Sequence, residues 1–157
     1  MPTKFTINSS LFIALTITAA STANADINTM GNICHPLNLP AADLNWSENG
    51  ITNLAPRDQT VVCAVPRSPI AANTAASFIV EGSNRTGTIS HCSLVVANGA
   101  GSKSFESFDM AGATSRNLIT FSPARIANSD YVELTCTLVA ANNGPGGIIR
   151  GIIAVGP

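Results

Sequence analysis

Along Tyr131-Val132-Glu133-Leu134-Thr135-Cys136-Thr137-Leu138-Val139, apolar and polar positions alternate. Val132, Leu134, Cys136 and Leu138 fall on one side, and Tyr131, Glu133, Thr135 and Thr137 on the other. That period of two belongs to a β-strand with one dry and one wet face. Most of these residues are β-branched or aromatic, the types that fit a pleated surface. The pattern recurs in Gln59 to Arg67, where Val61, Cys63 and Val65 share a face. Pro66 either ends that strand or marks an edge, because it has no N–H to give to a ladder. In Ala75 to Gly82, Phe78 and Val80 point inward and Glu81 outward; in Ser90 to Val96, the inward set is Cys92, Leu94 and Val96. The segment Ile148 to Val155 reads as a strand with Ile149, Ile153 and Val155 inward and Arg150 outward.

Turn residues separate these runs. Asn49-Gly50 predicts a tight turn between two short strands, Gly82 to Gly87 is a turn-rich connection, and Asn98-Gly99-Ala100-Gly101 closes another strand. Asn117 to Phe121 adds a short strand before Pro123, while Phe105 and Phe108 are only weakly patterned. No stretch holds a helical period with caps, although Ala111 to Arg116 has room for a helical turn. Seven or eight short strands with turns between them predict an all-β fold, an antiparallel β-sandwich.

The first 25 residues read differently. Lys4, the run Leu11 to Ile17, and the small-residue ending Ala23-Asn24-Ala25 have the order of a secretory signal peptide cut before Asp26. The competing reading is a buried N-terminal helix. The apolar run is far shorter than the roughly 20 residues of a membrane span, and no later segment is long and apolar enough for one. The first cysteine, Cys34, lies well past the cut, which argues against a lipid anchor. Removing 25 of 157 residues leaves 132, the size of a single domain running from position 26 to 157. The expected location is secreted, either periplasmic or extracellular.

Charge narrows the partners. Only 11% of residues are charged; without Lys4, seven basic residues face nine acidic ones, a net charge near −2. This lacks the basic footprint of a nucleic-acid binder.

Cys34, Cys63, Cys92 and Cys136 are an even set in an exported chain, so two disulfides are expected, with three connectivities open. Their spacing contains no C-x-x-C, which gives zinc or redox chemistry little support. The favoured pairing is Cys34–Cys63 with Cys92–Cys136. The second pair sits on the inward faces of two well-patterned strands, and the first then ties down an N-terminal arm with little core of its own.

Taken together, Cys34, Gly50-Ile51-Thr52-Asn53, Val61-Val62-Cys63-Ala64-Val65-Pro66-Arg67, Cys92-Ser93-Leu94, Leu134-Thr135-Cys136-Thr137-Leu138 and Gly151 to Val155 resemble a group of small secreted bacterial proteins with no assigned function. The resemblance implies a secreted β-sandwich with paired cysteines and carries over no catalytic or binding residue. Ala64 departs from the proline usual in that group.

Candidate chemistry is sparse. His35 lies in a Cys-His-Pro corner and His91 beside Cys92 on an outward position. A hydrolytic triad would need one of them near a nucleophile and an acid. Ser90 and Ser93 are near His91 in sequence, but no G-x-S-x-G elbow is present. Asp43 to Glu48 briefly suggests a calcium loop and then departs from it, with Glu48 at the sixth position and Leu54 at the twelfth. A looser calcium site built from loop carboxylates stays open as an alternative, but no motif implies a metal, and with no phosphate loop or dinucleotide fingerprint no cofactor is implied. Trp46, the single tryptophan, is the candidate binding residue, as a platform for sugar stacking or partner contact. Its alternative is a core or edge plug over the first disulfide. Asn45-Trp46-Ser47 and Asn84-Arg85-Thr86 match the glycosylation sequon. The functional expectation is a non-enzymatic exported domain that binds carbohydrate or a cell-surface protein, or joins a surface assembly. The rival is a secreted hydrolase drawing on the loop carboxylates Asp43, Glu48, Glu81, Asp109 and Asp130.

Overall fold

The structure, a computed structural model, describes residues 27–30, 33–37, 43–65, 76–121, 126–127 and 129–155. Residues 1–25, which the sequence reads as a signal peptide, lie outside them. Eleven strands occur among the described residues: β1 (Ile27–Met30), β2 (Cys34–Pro36), β3 (Leu44–Ser47), β4 (Gly50–Asn53), β5 (Gln59–Val65), β6 (Ala76–Ser83), β7 (Ile89–Asn98), β8 (Gly101–Ala111), β9 (Ser115–Phe121), β10 (Tyr131–Leu138) and β11 (Ile148–Val155). The all-β sandwich expected from the alternation is what forms, with β1, β2 and β8 in addition to the strands legible in the sequence.

Two antiparallel sheets pack face to face. One runs β2-β5-β10-β7-β8; the other runs β3-β4-β11-β6-β9, with β1 also paired to β11. β6 flanks β11 along its whole length, so β4 and β1 share the other side. β4 meets Ile148 and Ile149, and β1 continues the rank against Gly151 to Ala154.

Alternation explains the core. Val61, Cys63, Cys92, Leu94, Val96, Leu134, Cys136 and Leu138 from the five-stranded sheet meet Ile51, Phe78, Val80, Phe121, Ile149 and Ile152 from the other. Phe78 and Phe121 pack edge to face with ring centroids 6.2 Å apart, a favoured aromatic geometry. The disulfides are Cys34–Cys63 and Cys92–Cys136, the favoured pairing. Each joins residues directly opposite one another on adjacent strands of the same sheet, β2 with β5 and β7 with β10.

β11 departs from its predicted phase. Ile149 pairs with Gly82 and Gly151 with Glu81, so Arg150 is an extra residue in a β-bulge. A bulge shifts everything after it by one position. Ile149 is buried as expected, but Ile152 and Ala154, rather than Ile153 and Val155, enter the core. Ile153 and Val155 are half-buried on the outer face.

Asn49-Gly50 marks the β3–β4 hairpin as expected. Gly50 has φ 110° and packs so closely on β11 that a Cβ there would enter the Ile149 carbonyl. Ala111 to Arg116 holds the β8–β9 connection and the start of β9, not a helical turn; Gly112 turns it with φ 74°. The long β10–β11 connection is anchored by buried polar side chains. Asn53 Nδ2 donates to the carbonyls of Arg57, Leu138 and Val139 at 2.9 to 3.1 Å, and its Oδ1 accepts from Ala55 N–H at 2.8 Å. Ser90 Oγ donates to Asn84 Oδ1 at 2.6 Å and accepts from Val139 N–H at 3.1 Å.

Candidate binding face

The residues pushed outward by the β10 alternation form the middle of the exposed face of the five-stranded sheet. Their neighbours follow from register. Cys136 lies opposite Cys92, which sets Thr137 opposite His91, Thr135 opposite Ser93 and Glu133 opposite Val95. A slip of one residue would turn this whole set into the core, and the disulfide forbids it. On the far side of β7, the edge strand β8 sets Asp109 beside His91, Ser107 beside Ser93 and Phe105 beside Val95. On the near side of β10, β5 adds Thr60 beside Thr137 and Val62 beside Thr135.

The face is therefore built in rows across the strands. The first row is Asp109, His91, Thr137 and Thr60; the second is Ser107, Ser93, Thr135 and Val62, with His35 of β2 beyond. These two rows frame an open depression of about 250 Å³ whose floor reaches Cys92 and Phe108. The third row, Phe105, Val95, Glu133 and Ala64, is less polar. Phe105 is 67% exposed there, and Tyr131, one further step along β10, is 52% exposed. The face thus carries hydroxyls, one imidazole and one carboxylate in its depression, with aromatic surface beside it.

Hydrogen bonds hold part of this arrangement. His91 Nδ1 and Asp109 Oδ1 are 2.7 Å apart, and both side chains are exposed. The bond to Asp109 engages Nδ1 and leaves Nε2 facing away from that partner. Thr60 and Thr137 share a hydroxyl bond of 3.2 Å, and Thr135 Oγ1 donates to Glu133 Oε1 at 3.4 Å. A hydrolytic triad would need a serine hydroxyl bonded to the second ring nitrogen. Ser93 and Ser107 line the same depression, yet no such bond occurs among the described residues. His35 is exposed on the edge strand β2, outside the lining of the depression.

Trp46 lies elsewhere. It pairs with the buried Ile51, at the edge where the two sheets meet, and its Nε1–H donates to the Cys34 carbonyl at 3.0 Å. The indole thereby ties β3 of one sheet to β2 of the other, beside the Cys34–Cys63 bridge, and keeps 37% of its surface exposed. The carboxylate pool is dispersed. Asp43 pairs with Arg57 at 3.0 Å and Glu81 with Arg116 at 3.3 Å, on separate parts of the surface. Glu48 sits exposed in the β3–β4 turn, and the buried Asp130 accepts from Ala127 N–H at 2.6 Å. No group of three or more His, Cys, Asp or Glu among the described residues is placed to hold a metal. No helix among them is long and apolar enough to cross a membrane.

Sequence reasoning left Phe105, Ser107, Thr135 and Thr137 unassigned. The two threonines were legible as outward positions of β10. Phe105, Ser107 and Asp109 share a phase opposite to that of Met110, a signal available once β8 is recognised as a strand.

No family model and no curated protein sequence matches the chain. Among solved structures, a xylan-binding module of family CBM15 superimposes with a TM-score of 0.51 at 14% identity, covering 84% of this chain and 96% of that one. The CBM36-1 domain of a multidomain xylanase from the hindgut metagenome of Trinervitermes trinervoides gives 0.49 at 12% identity, covering 83% and 96%. A family 35 carbohydrate-binding module from Clostridium thermocellum gives 0.44 at 13%, covering 82% and 97%. The first of these likenesses supports the β-sandwich fold; identities this low speak to fold only.

Proposed function

We propose that this chain is an exported, non-catalytic binding domain that takes a carbohydrate on the outer face of the five-stranded sheet. The observation that carries the reading is the face itself. Two rows of hydroxyl and imidazole groups surround a shallow depression, with the exposed Phe105 in the neighbouring row and the exposed Tyr131 one row beyond it. A sugar presents many hydroxyls and a weakly polar ring face, so it asks for alternating donors and acceptors with aromatic surface nearby. Threonine and serine hydroxyls act as either donor or acceptor, and His91 Nε2, the ring nitrogen not bonded to Asp109, supplies a further polar group. The rigid sheet presents these groups without a loop having to order, which lowers the entropic cost of binding.

Because a domain of similar fold is a xylan-binding module, short xylo-oligosaccharides are the first probes, with cello-oligosaccharides beside them. An NMR titration is expected to move the amides of His91, Ser93, Thr135 and Thr137 saturably. Double replacement of Thr135 and Thr137 by valine keeps the strand and removes both hydroxyls, and should weaken that binding at least several-fold. Saturable binding that leaves this face unmoved would overturn the assignment. A hydrolase acting through His91 and Asp109 predicts instead that the oligosaccharide is shortened over time and that H91A stops it.

A further inference from the structure

The six-stranded sheet carries its own candidate site, on the opposite side of the sandwich from the proposed carbohydrate face. The β11 bulge leaves Arg150 with no partner residue on β6, between Ile149, paired to Gly82, and Gly151, paired to Glu81. Bulges re-aim a side chain out of the regular alternation. Here the exposed Arg150 lines two depressions of about 290 Å³ each. One is walled by Glu81, Thr114, Ser115 and Arg116, and the other by Ser83, Arg85 and Pro145.

The charges in the two depressions are unbalanced. Arg116 is paired with Glu81 at 3.3 Å, and Arg85 donates to the Asn142 carbonyl. Arg150 has no carboxylate partner among the described residues, only a 3.4 Å contact from its guanidinium to Ser83 Oγ. Three guanidinium groups against one carboxylate leave a net +2, on a chain whose formal charge is −1. A guanidinium is a planar fork that matches an oxyanion bidentately. The Thr114 and Ser115 hydroxyls can donate to the same group, and Glu81 holds Arg116 at the wall.

We propose that Arg150 is the centre of an oxyanion-binding site, sized for a single carboxylate, sulfate or phosphate group and the ring or chain that bears it. The site stands independently of the carbohydrate reading, since the two faces share no residue. The test is an NMR titration of the full chain at constant ionic strength with two probes, a galacturonate trimer and inorganic phosphate. The expected result is a saturable shift of the Gly82, Ser115 and Gly151 amides with at least one probe. The R150Q variant should weaken that binding about tenfold or more, and R150K, a point charge without the fork, should fall between. Response to the trimer alone identifies a carboxylated glycan as the source, and response to phosphate a free ion or phosphorylated ligand. No saturable shift at these amides with either probe overturns the proposal. So does an R150Q protein that keeps the native spectrum and binds as tightly as R150K and the parent.

Discussion

Removing one disulfide tests how this small sandwich is held together. The Cys92–Cys136 bridge joins residues 44 apart in sequence, and Cys34–Cys63 joins residues 29 apart. If the bridges act mainly by restricting the unfolded chain, loop closure gives about 4.0 kcal/mol for the first and about 3.6 kcal/mol for the second at 25 °C. Replacing Cys92 and Cys136 together by alanine also removes two buried sulfurs from the core, so its measured loss should not fall below the entropic figure. For a domain of this size the matching drop in Tm is on the order of 10 °C. Urea unfolding of the double variant against the parent measures the loss, and thermal unfolding the drop in Tm. Loosening the unfolded chain should also raise the m-value, because more surface is exposed on unfolding. A loss under about 1 kcal/mol with an unchanged m-value would refute the entropic account. If C34A/C63A cost clearly more than C92A/C136A, the N-terminal strand would be contributing far beyond loop closure.

Three further outcomes follow from single sites. G50A should destabilise by several kcal/mol, on the order of a backbone clash in the core, because its Cβ meets the Ile149 carbonyl and φ is 110°; thermal unfolding reads it. N53A should cost about 3 kcal/mol, since removing the amide takes one donor from the buried Leu138 carbonyl and leaves the buried Ala55 N–H without its acceptor, while the part-buried Val139 carbonyl keeps its bond from Gly147 N–H; the β10–β11 connection should exchange its amide protons faster. If the chain is expressed in a eukaryotic secretory host, mass spectrometry should find any sequon glycan at Asn45 and none at Asn84. Asn45 is exposed, whereas Asn84 is buried with its side chain bonded to the Met110 carbonyl and Ser90.

Much of the core was legible because alternation reports burial directly. The inward positions read for β5, β6, β7 and β10 are buried in the structure. Where the reading went astray, the cause is an event that periodicity does not register. The extra residue at Arg150 reverses the phase of β11 midway, so Ile153 and Val155 lost the core positions that the pattern assigned them. β1 and β2 have four and three residues, too few to show a period. β8 was obscured by its place at the sheet edge. Met110 is its one fully buried side chain among those described, while Phe105 faces solvent, so large apolar residues appear on both sides of the strand.

The candidate face was half legible, and the missing half is register. Each strand's outward residues could be named from phase, but His91 and Asp109, 18 positions apart, meet only because β7 and β8 pair with one particular alignment. The cysteines offered a route to part of it. If Cys92 and Cys136 sit opposite each other on antiparallel strands, one step back along one strand matches one step forward along the other. Thr137 must then neighbour His91, and Thr135 must neighbour Ser93, as the structure has them. Aromatic exposure had no such route. Trp46 was singled out for its rarity, and its indole N–H is engaged in tying the sheet edges together. Phe105 and Tyr131 attract less notice in the sequence and expose more of their surface. What an aromatic ring can offer a ligand depends on the strand edge and register that place it, and residue type alone carries neither.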